Sequence, residues 1–165
     1  LYAEGGCVML GVTGVYEPIL VGDDRPDVLA EYPSVHVQPV AWGEMDGFHH
    51  LNNVVFYRYA ESARISYLRA SGLVKTRTDI STILAANSCQ YKCPVTYPDT
   101  LLVGVRIENL GTTSVVFEHA YYSTAQDTIV ATAEAVMVRA DEHGVKQAWT
   151  DSERAAFAKF EGREL

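Results

Sequence analysis

Cysteine is scarce in this chain: Cys7, Cys89 and Cys93 are the only three, and none stands in a CxxC or metal-finger spacing. If 89 to 93 is a strand, Cys89 and Cys93 share a face but lie roughly 13 Å apart at about 3.3 Å per residue, too far for a disulfide or a shared metal. Free, buried thiols in a reducing compartment are therefore expected. Basic charge is also in short supply, with 13 Lys+Arg against 21 Asp+Glu and a net charge of −8. That balance argues against a nucleic-acid partner, which needs a basic patch, and requires any anionic ligand to be held locally. No stretch approaches the roughly 20 apolar residues of a membrane span, so no membrane partner is expected. Internal repeats and low-complexity tracts are missing too. The chain also lacks a starting Met. The expectation is a cytoplasmic protein, with a mitochondrial one as the alternative through a processed N-terminus.

What is present suits one globular core: 165 residues, 48% hydrophobic and 21% charged. Residues 1–34, with Gly5, Gly6, Gly11, Gly14 and Gly22 ahead of the acidic "GDDRPDVLAEYP", read as a loosely structured arm with a short strand or helical turn. A single domain over 35–165 follows. "VHVQPVAW" (35–42) alternates like a strand, with Pro39 marking an edge or a bulge.

From Asn53 to about Ser71, the residues Phe56, Ala60, Ala63, Tyr67 and Ala70 recur at helical spacing. Asn52 fits the N-cap, Leu51 and Phe56 form a hydrophobic staple across it, and Gly72 ends the helix as a left-handed cap. Four β-rich runs follow, at about 79–93, 100–109, 113–123 and 128–140, split by "PVTYPD", "LGTT" and "TAQD", with "DEHG" after the last. Their short connections favour an antiparallel meander. "DSERAAFAKF" (151–160) opens with Asp or Ser as a cap and makes a short terminal helix. The class is α+β, a five-stranded antiparallel sheet covering the apolar stripe of one long helix, with Ala60 and Ala63 allowing close approach.

Chemistry-bearing residues concentrate just before the long helix. Asp46 lies seven residues ahead of Asn53, whose N–H belongs to the first helical turn and has no intrahelical acceptor. Such an end suits a developing oxyanion, and a nearby carboxylate can activate water or attack directly. By itself, an Asp ahead of a helix is more often a cap or turn residue. His49 and His50 are adjacent and point apart, and no further ligand follows at i+3 or i+4, so no metal is expected. Asn52 and Asn53 fit capping and ligand contact alike. Phe48, Phe56, Tyr57 and Tyr59 outline an apolar or aromatic pocket, or simply core.

The stretch "VAWGEMDGFHHLNNVVFYRYAESARISYLRASGL" (40–73) resembles the hotdog-fold thioesterases of the 4-hydroxybenzoyl-CoA thioesterase family. Their pattern has an Asp, a short loop ending near Gly-His-Val-Asn-Asn, and an aromatic-rich helix carrying Glu-x-x-Arg. Asp46, His50, Leu51, Asn52, Asn53, Tyr59, Glu61 and Arg64 occupy those places here. "YKCPVTYPDTLLVGVRIENLGTTSVVFEHAYY" (91–122) and "TIVATAEAVMVRADEHG" (128–144) extend the likeness over roughly 35–160. Two places depart from the pattern. His49 stands where the loop usually has Gly, and Gly111-Thr112-Thr113 lacks the Arg or Lys with which some members hold coenzyme A phosphates.

The resemblance implies a hotdog fold whose subunits join edge to edge into a homodimer or homotetramer, with active sites at the interface. It implies hydrolysis of an acyl thioester of coenzyme A or of an acyl carrier protein, with no cofactor. Asp46 would be general base or nucleophile and Asn53 the oxyanion donor, while His50 and Asn52 would shape the loop or contact substrate; Phe48, His49, Tyr57 and Glu61 are further candidate substrate contacts. Two other readings stay open. One is a hotdog hydratase or dehydratase, whose Asp-x-Asn-Pro-x-His pattern is missing here because position 51 is Leu. The other is a non-catalytic acyl-binding or scaffold protein, kept open by His49.

Overall fold

The computed structural model describes residues 25–74 and 82–165. Cys7, the glycine-rich part of the arm and the expected start of the second strand at 79–81 lie outside the described residues. Five strands form one sheet: β1 (Ser34–Pro39), β2 (Thr82–Tyr91), β3 (Thr100–Leu110), β4 (Ser114–Ser123) and β5 (Thr128–Arg139). Helix α1 (Asn53–Ala70) precedes β2 and helix α2 (Asp151–Glu161) follows β5. All strand pairs are antiparallel, in the order β1-β3-β4-β5-β2. This is the hotdog layout, a sheet laid around one long helix.

The expected four-strand meander is corrected by this order. Only β3, β4 and β5 are hairpin neighbours, whereas β2 pairs with β5 on the far edge. The segment 92–99 is long enough for that crossing, since three strand spacings are only about 14 Å. Its Leu51-to-Val95 backbone bond of 2.7 Å ties it to the loop before α1. Strand β1 is shorter than the expected 35–42 run. Pro39 ends it as the last residue of an edge strand, and Trp42–Glu44 form a 3₁₀ turn instead.

The core lies between α1 and the sheet's inner face. Ala60 and Ala63 are fully buried, and Tyr67, Phe117 and Tyr121 are buried large side chains that close around them. Each such burial stabilises by about 1.5–3 kcal/mol. Tyr67 packs edge-on against Phe117 and Phe160 and donates to Glu161 Oε1 at 2.6 Å, docking α2 over one end of the core. The α2 cap is Thr150, which forms a reciprocal capping box with Glu153, and Asp151 is already helical. At the end of the stretch read as an arm, Leu29 and Tyr32 pack on the sheet's outer face beneath Gly104. A Cβ at Gly104 would come within 2.8 Å of the Tyr32 ring, so only glycine fits there.

Candidate active site

The loop ahead of α1 is shaped by its own backbone. Glu44, at the end of the 3₁₀ turn, accepts from the Ala41 N–H at 2.9 Å and from the side chains of Arg58 and Tyr59 on α1. Burial alone would raise its pKa, but these donors together hold the carboxyl below the usual carboxylate range. Its carbonyl accepts the Asn52 N–H at 3.0 Å, so the turn is fastened to the helix start from both sides. Met45 and Leu51 then pair as an isolated antiparallel bridge that closes residues 46–50 into a tight loop.

Within that loop Asp46 Oδ1 accepts the Phe48 N–H at 2.8 Å, and the Asp46 carbonyl accepts the His49 N–H at 3.0 Å. Asp46 Oδ2 takes no hydrogen bond among the described residues, which leaves it available to a substrate or water. His49 adopts φ +64°, the left-handed conformation that favours glycine. The departure from the family's usual Gly therefore preserves the loop's path, because His tolerates this region better than most side chains.

The helix begins as expected. Asn52 Oδ1 accepts the Val54 N–H at 3.0 Å, and Leu51 and Phe56 are both buried in the same core, which fixes the entry angle. At the other end the Leu73 N–H reaches the Leu68 carbonyl at 3.1 Å and Gly72 takes φ +79°, a Schellman ending. The Asn53 N–H, at the first helical position, has no acceptor among the described residues.

Asp46 and Asn53 line one cavity of ≈ 380 Å³, together with Phe48, His50, Phe56 and Tyr91. Lys92 and Cys93, from the segment after β2, complete it. The wall is apolar and aromatic, with Tyr91 packed edge-on against Phe56 at 5.2 Å and its hydroxyl 3.4 Å from the Asn53 carbonyl. A carboxylate and an unpaired N–H facing one water-accessible space can deprotonate a nucleophile and stabilise the oxyanion it creates.

Not every expected site residue gathers there. His49 and Asn52 shape the loop and cap the helix without lining the cavity. Tyr57 and Glu61 line a second cavity of ≈ 550 Å³ between α1 and β2, whose wall includes Arg64, Asn87, Phe117 and Met137. Sequence reading assigned no site role to Lys92, Cys93, Arg64 or Asn87, which sit in runs that read as helix or strand. His119 on β4 is fully buried and hydrogen-bonds the Ala133 carbonyl through Nδ1 at 3.3 Å. Burial, with the Arg64 charge beside it, pushes its pKa down to about 3. Cys89 and Cys93 are half-buried free thiols, and burial raises the Cys89 pKa.

Residues 40–157 match the Thioesterase-like superfamily, which covers more than half of the chain. The chain belongs to that superfamily. A Bacillus subtilis (strain 168) protein, YsmA, is 29% identical over 116 residues, 70% of this chain and 78% of its own. A thioesterase from Thermus thermophilus, solved in complex with coenzyme A and Zn, superposes with a TM-score of 0.74 at 26% identity, over 81% of this chain and 98% of that one. A thioesterase-superfamily structure from Jannaschia sp. CCS1 superposes with a TM-score of 0.73 at 23% identity, over 81% and 86% of the two chains, a likeness of fold. The superfamily match spans both cavities and begins just before the 3₁₀ turn that anchors Asp46.

Proposed function

We propose that this protein is an acyl thioesterase of the 4-hydroxybenzoyl-CoA thioesterase type. It cleaves an acyl thioester of coenzyme A, or of an acyl carrier protein, to the free acid and the thiol. The observation that carries this reading is the meeting of Asp46 and the unpaired Asn53 N–H in one aromatic-walled cavity. Asp46 takes a proton as water adds to the thioester carbonyl, or attacks that carbon itself. The resulting oxyanion sits at the helix N-terminus, where Asn53 donates and the helix dipole favours negative charge. Collapse expels the thiolate, which takes up the proton on the general-base route; on the nucleophilic route it leaves an Asp46 acyl anhydride, which water cleaves to the acid and the Asp46 carboxylate, the proton released going to the thiolate. His50 and Phe48 border the acyl group, and Lys92 offers a cation near the thiol portion. Coenzyme A as the thiol is supported by its presence in the Thermus thermophilus relative.

The same reading proposes a homodimer or homotetramer joined at β2. That edge strand exposes Ile83, Leu84 and Tyr91, and an uncovered apolar edge invites pairing. A reducing compartment, cytoplasmic or mitochondrial, suits the free Cys89 and Cys93.

The test is hydrolysis of short, long, aromatic and β-keto acyl thioesters, followed by free-thiol release, with wild type and Asp46→Asn. Asparagine keeps the Oδ1 acceptor for Phe48 and so the loop. Activity is expected in wild type and lost in the variant. Full activity in folded Asp46→Asn would remove the assignment.

A further inference from the structure

Arg64 presents a problem in charge. It is 5% exposed, its Nη1 is buried with no hydrogen-bond partner, and among the described residues it forms no salt bridge. An arginine keeps its charge in a protein, and a buried charge without a counter-ion is strongly unfavourable. Its neighbours resolve this only in part: Tyr121 and Glu61 attract the charge, but among the described residues neither meets the guanidinium in an ion pair or a hydrogen bond. His119 is held neutral and, among the described residues, its Nε2 and the buried Asn87 Oδ1 on β2 find no partner. Arg64 and Asn87 both line the ≈ 550 Å³ cavity, whose remaining wall is largely apolar.

We infer that this cavity binds a carboxylate on Arg64, and that the carboxylate is the distal end of an acyl chain whose thioester lies at Asn53. The second half of the inference rests on the thioesterase reading, and the first does not. Helix geometry connects the two points. Asn53 and Arg64 are eleven residues apart, which at 3.6 residues per turn is about three turns and brings both to nearly the same face, roughly 16 Å apart along the axis. Tyr57, one turn after Asn53 on that face, lines the second cavity, and the Tyr91 phenol beside it lines the first. A chain running from the helix N-terminus down this face passes the tyrosine pair and reaches the guanidinium. Arg64 offers a planar fork for a carboxylate, and Asn87 can turn its amide N–H₂ toward the same group. Glu61, also on this wall, is exposed, so its repulsion is screened by water, whereas the Arg64 attraction acts in a drier interior.

The experiment compares adipoyl-, suberoyl- and sebacoyl-CoA with hexanoyl-, octanoyl- and decanoyl-CoA on wild type, Arg64→Lys and Arg64→Met, and measures thermal protection by free suberate and octanoate. Wild type should prefer the longer carboxylated chains about ten- to hundredfold in kcat/KM, chiefly through KM, the worth of one charge-assisted pair. Arg64→Met should lose that preference while still hydrolysing uncharged chains, and Arg64→Lys should keep part of it. Suberate should raise the Tm of wild type and not of Arg64→Met. Should Arg64→Met fail to fold, the wild-type preference and Asn87→Leu, expected to weaken it, still decide. Suberate protection without hydrolysis of any thioester supports the carboxylate site and removes the thioesterase reading. Hydrolysis with no preference for the carboxylated chains, or with the same preference in Arg64→Met, overturns the inference and spares that reading. Loss of self-association in Arg64→Met, with no suberate protection of wild type, assigns the counter-ion to a second copy and also overturns it.

Discussion

The two cavities on α1 are built in opposite ways. The one at the helix start is assembled from a short run of chain, residues 44–56, held by backbone hydrogen bonds and one Asx turn, with β2 and the segment after it supplying a wall. The one along the helix face takes its polar groups from α1 and β2 and its floor from β4 and β5, elements distant in sequence. On the proposed reading, reactive geometry at the first is therefore set by local conformation, whereas selectivity at the second depends on tertiary packing around the buried Arg64 charge. Substitutions in the first should change activity more than stability, and substitutions in the second should do the reverse in the absence of ligand.

The largest effect expected is Asp46→Asn. Removing a general base or nucleophile costs on the order of 10²–10⁴ in kcat, about 3–5 kcal/mol of barrier. The Tm should stay within about 1–2 °C of wild type, because the Asx turn to Phe48 is kept. A large stability loss together with lost activity would blur the distinction between the two cavities.

Next comes the acid sensitivity of the core behind Arg64, where His119 lies within reach of its charge. His119 has its folded pKa lowered to about 3 from an ordinary value of 6.5. Above 6.5 neither state carries the proton and the stabilisation is fully present. As pH falls below 6.5 the unfolded chain binds a proton that the folded chain refuses, so stability declines by about 1.4 kcal/mol per unit until the folded group protonates. Between pH 6.5 and 5 the loss is about 2 kcal/mol, read by urea denaturation at each pH. His119→Leu should flatten that slope. An unchanged slope would place the acid-sensitive group elsewhere.

A smaller loss is expected at the helix cap. Asn52→Ala leaves the Val54 N–H unsatisfied and should cost about 1 kcal/mol, or roughly 2–4 °C in Tm, with Asn52→Asp restoring it. Because Asn52 does not line the first cavity, its kcat/KM should follow stability only.

The same contrast explains which features could be read from the sequence. Asp46, the Asn52 cap, the Leu51–Phe56 staple and the Gly72 ending are signalled within a few residues of themselves, and the structure has them where the pattern puts them. The place of β2 beside β5 is not so signalled. A connection of eight residues permits either a hairpin or a crossing, and the choice is made by the helix that the sheet must cover. Glu-x-x-Arg on α1 marked Glu61 and Arg64 together, yet their surroundings differ: Glu61 is exposed and Arg64 is buried by strands that follow it in the chain. The α2 cap shifted by one residue to Thr150 because Thr and Asp are both good caps, and the box with Glu153 decides between them.

The smallest stability effect expected is that of His49→Gly, at the tip of the first cavity's loop. At φ +64° an ordinary side chain costs about 1–2 kcal/mol, less for His, while introducing Gly adds about 0.4–1 kcal/mol of entropy to the unfolded state. These terms oppose each other, so His49→Gly should move stability by less than about 0.5 kcal/mol. His49→Val, β-branched at positive φ, should instead lose about 1–2 kcal/mol. Urea denaturation of the pair checks the backbone argument. Steady-state kinetics of His49→Gly then isolates the imidazole. The ring is exposed and outside the cavity lining, so kcat/KM should stay within about threefold of wild type. A larger change with stability unaltered would bring the His49 ring into contact with substrate and extend the first cavity beyond its present wall.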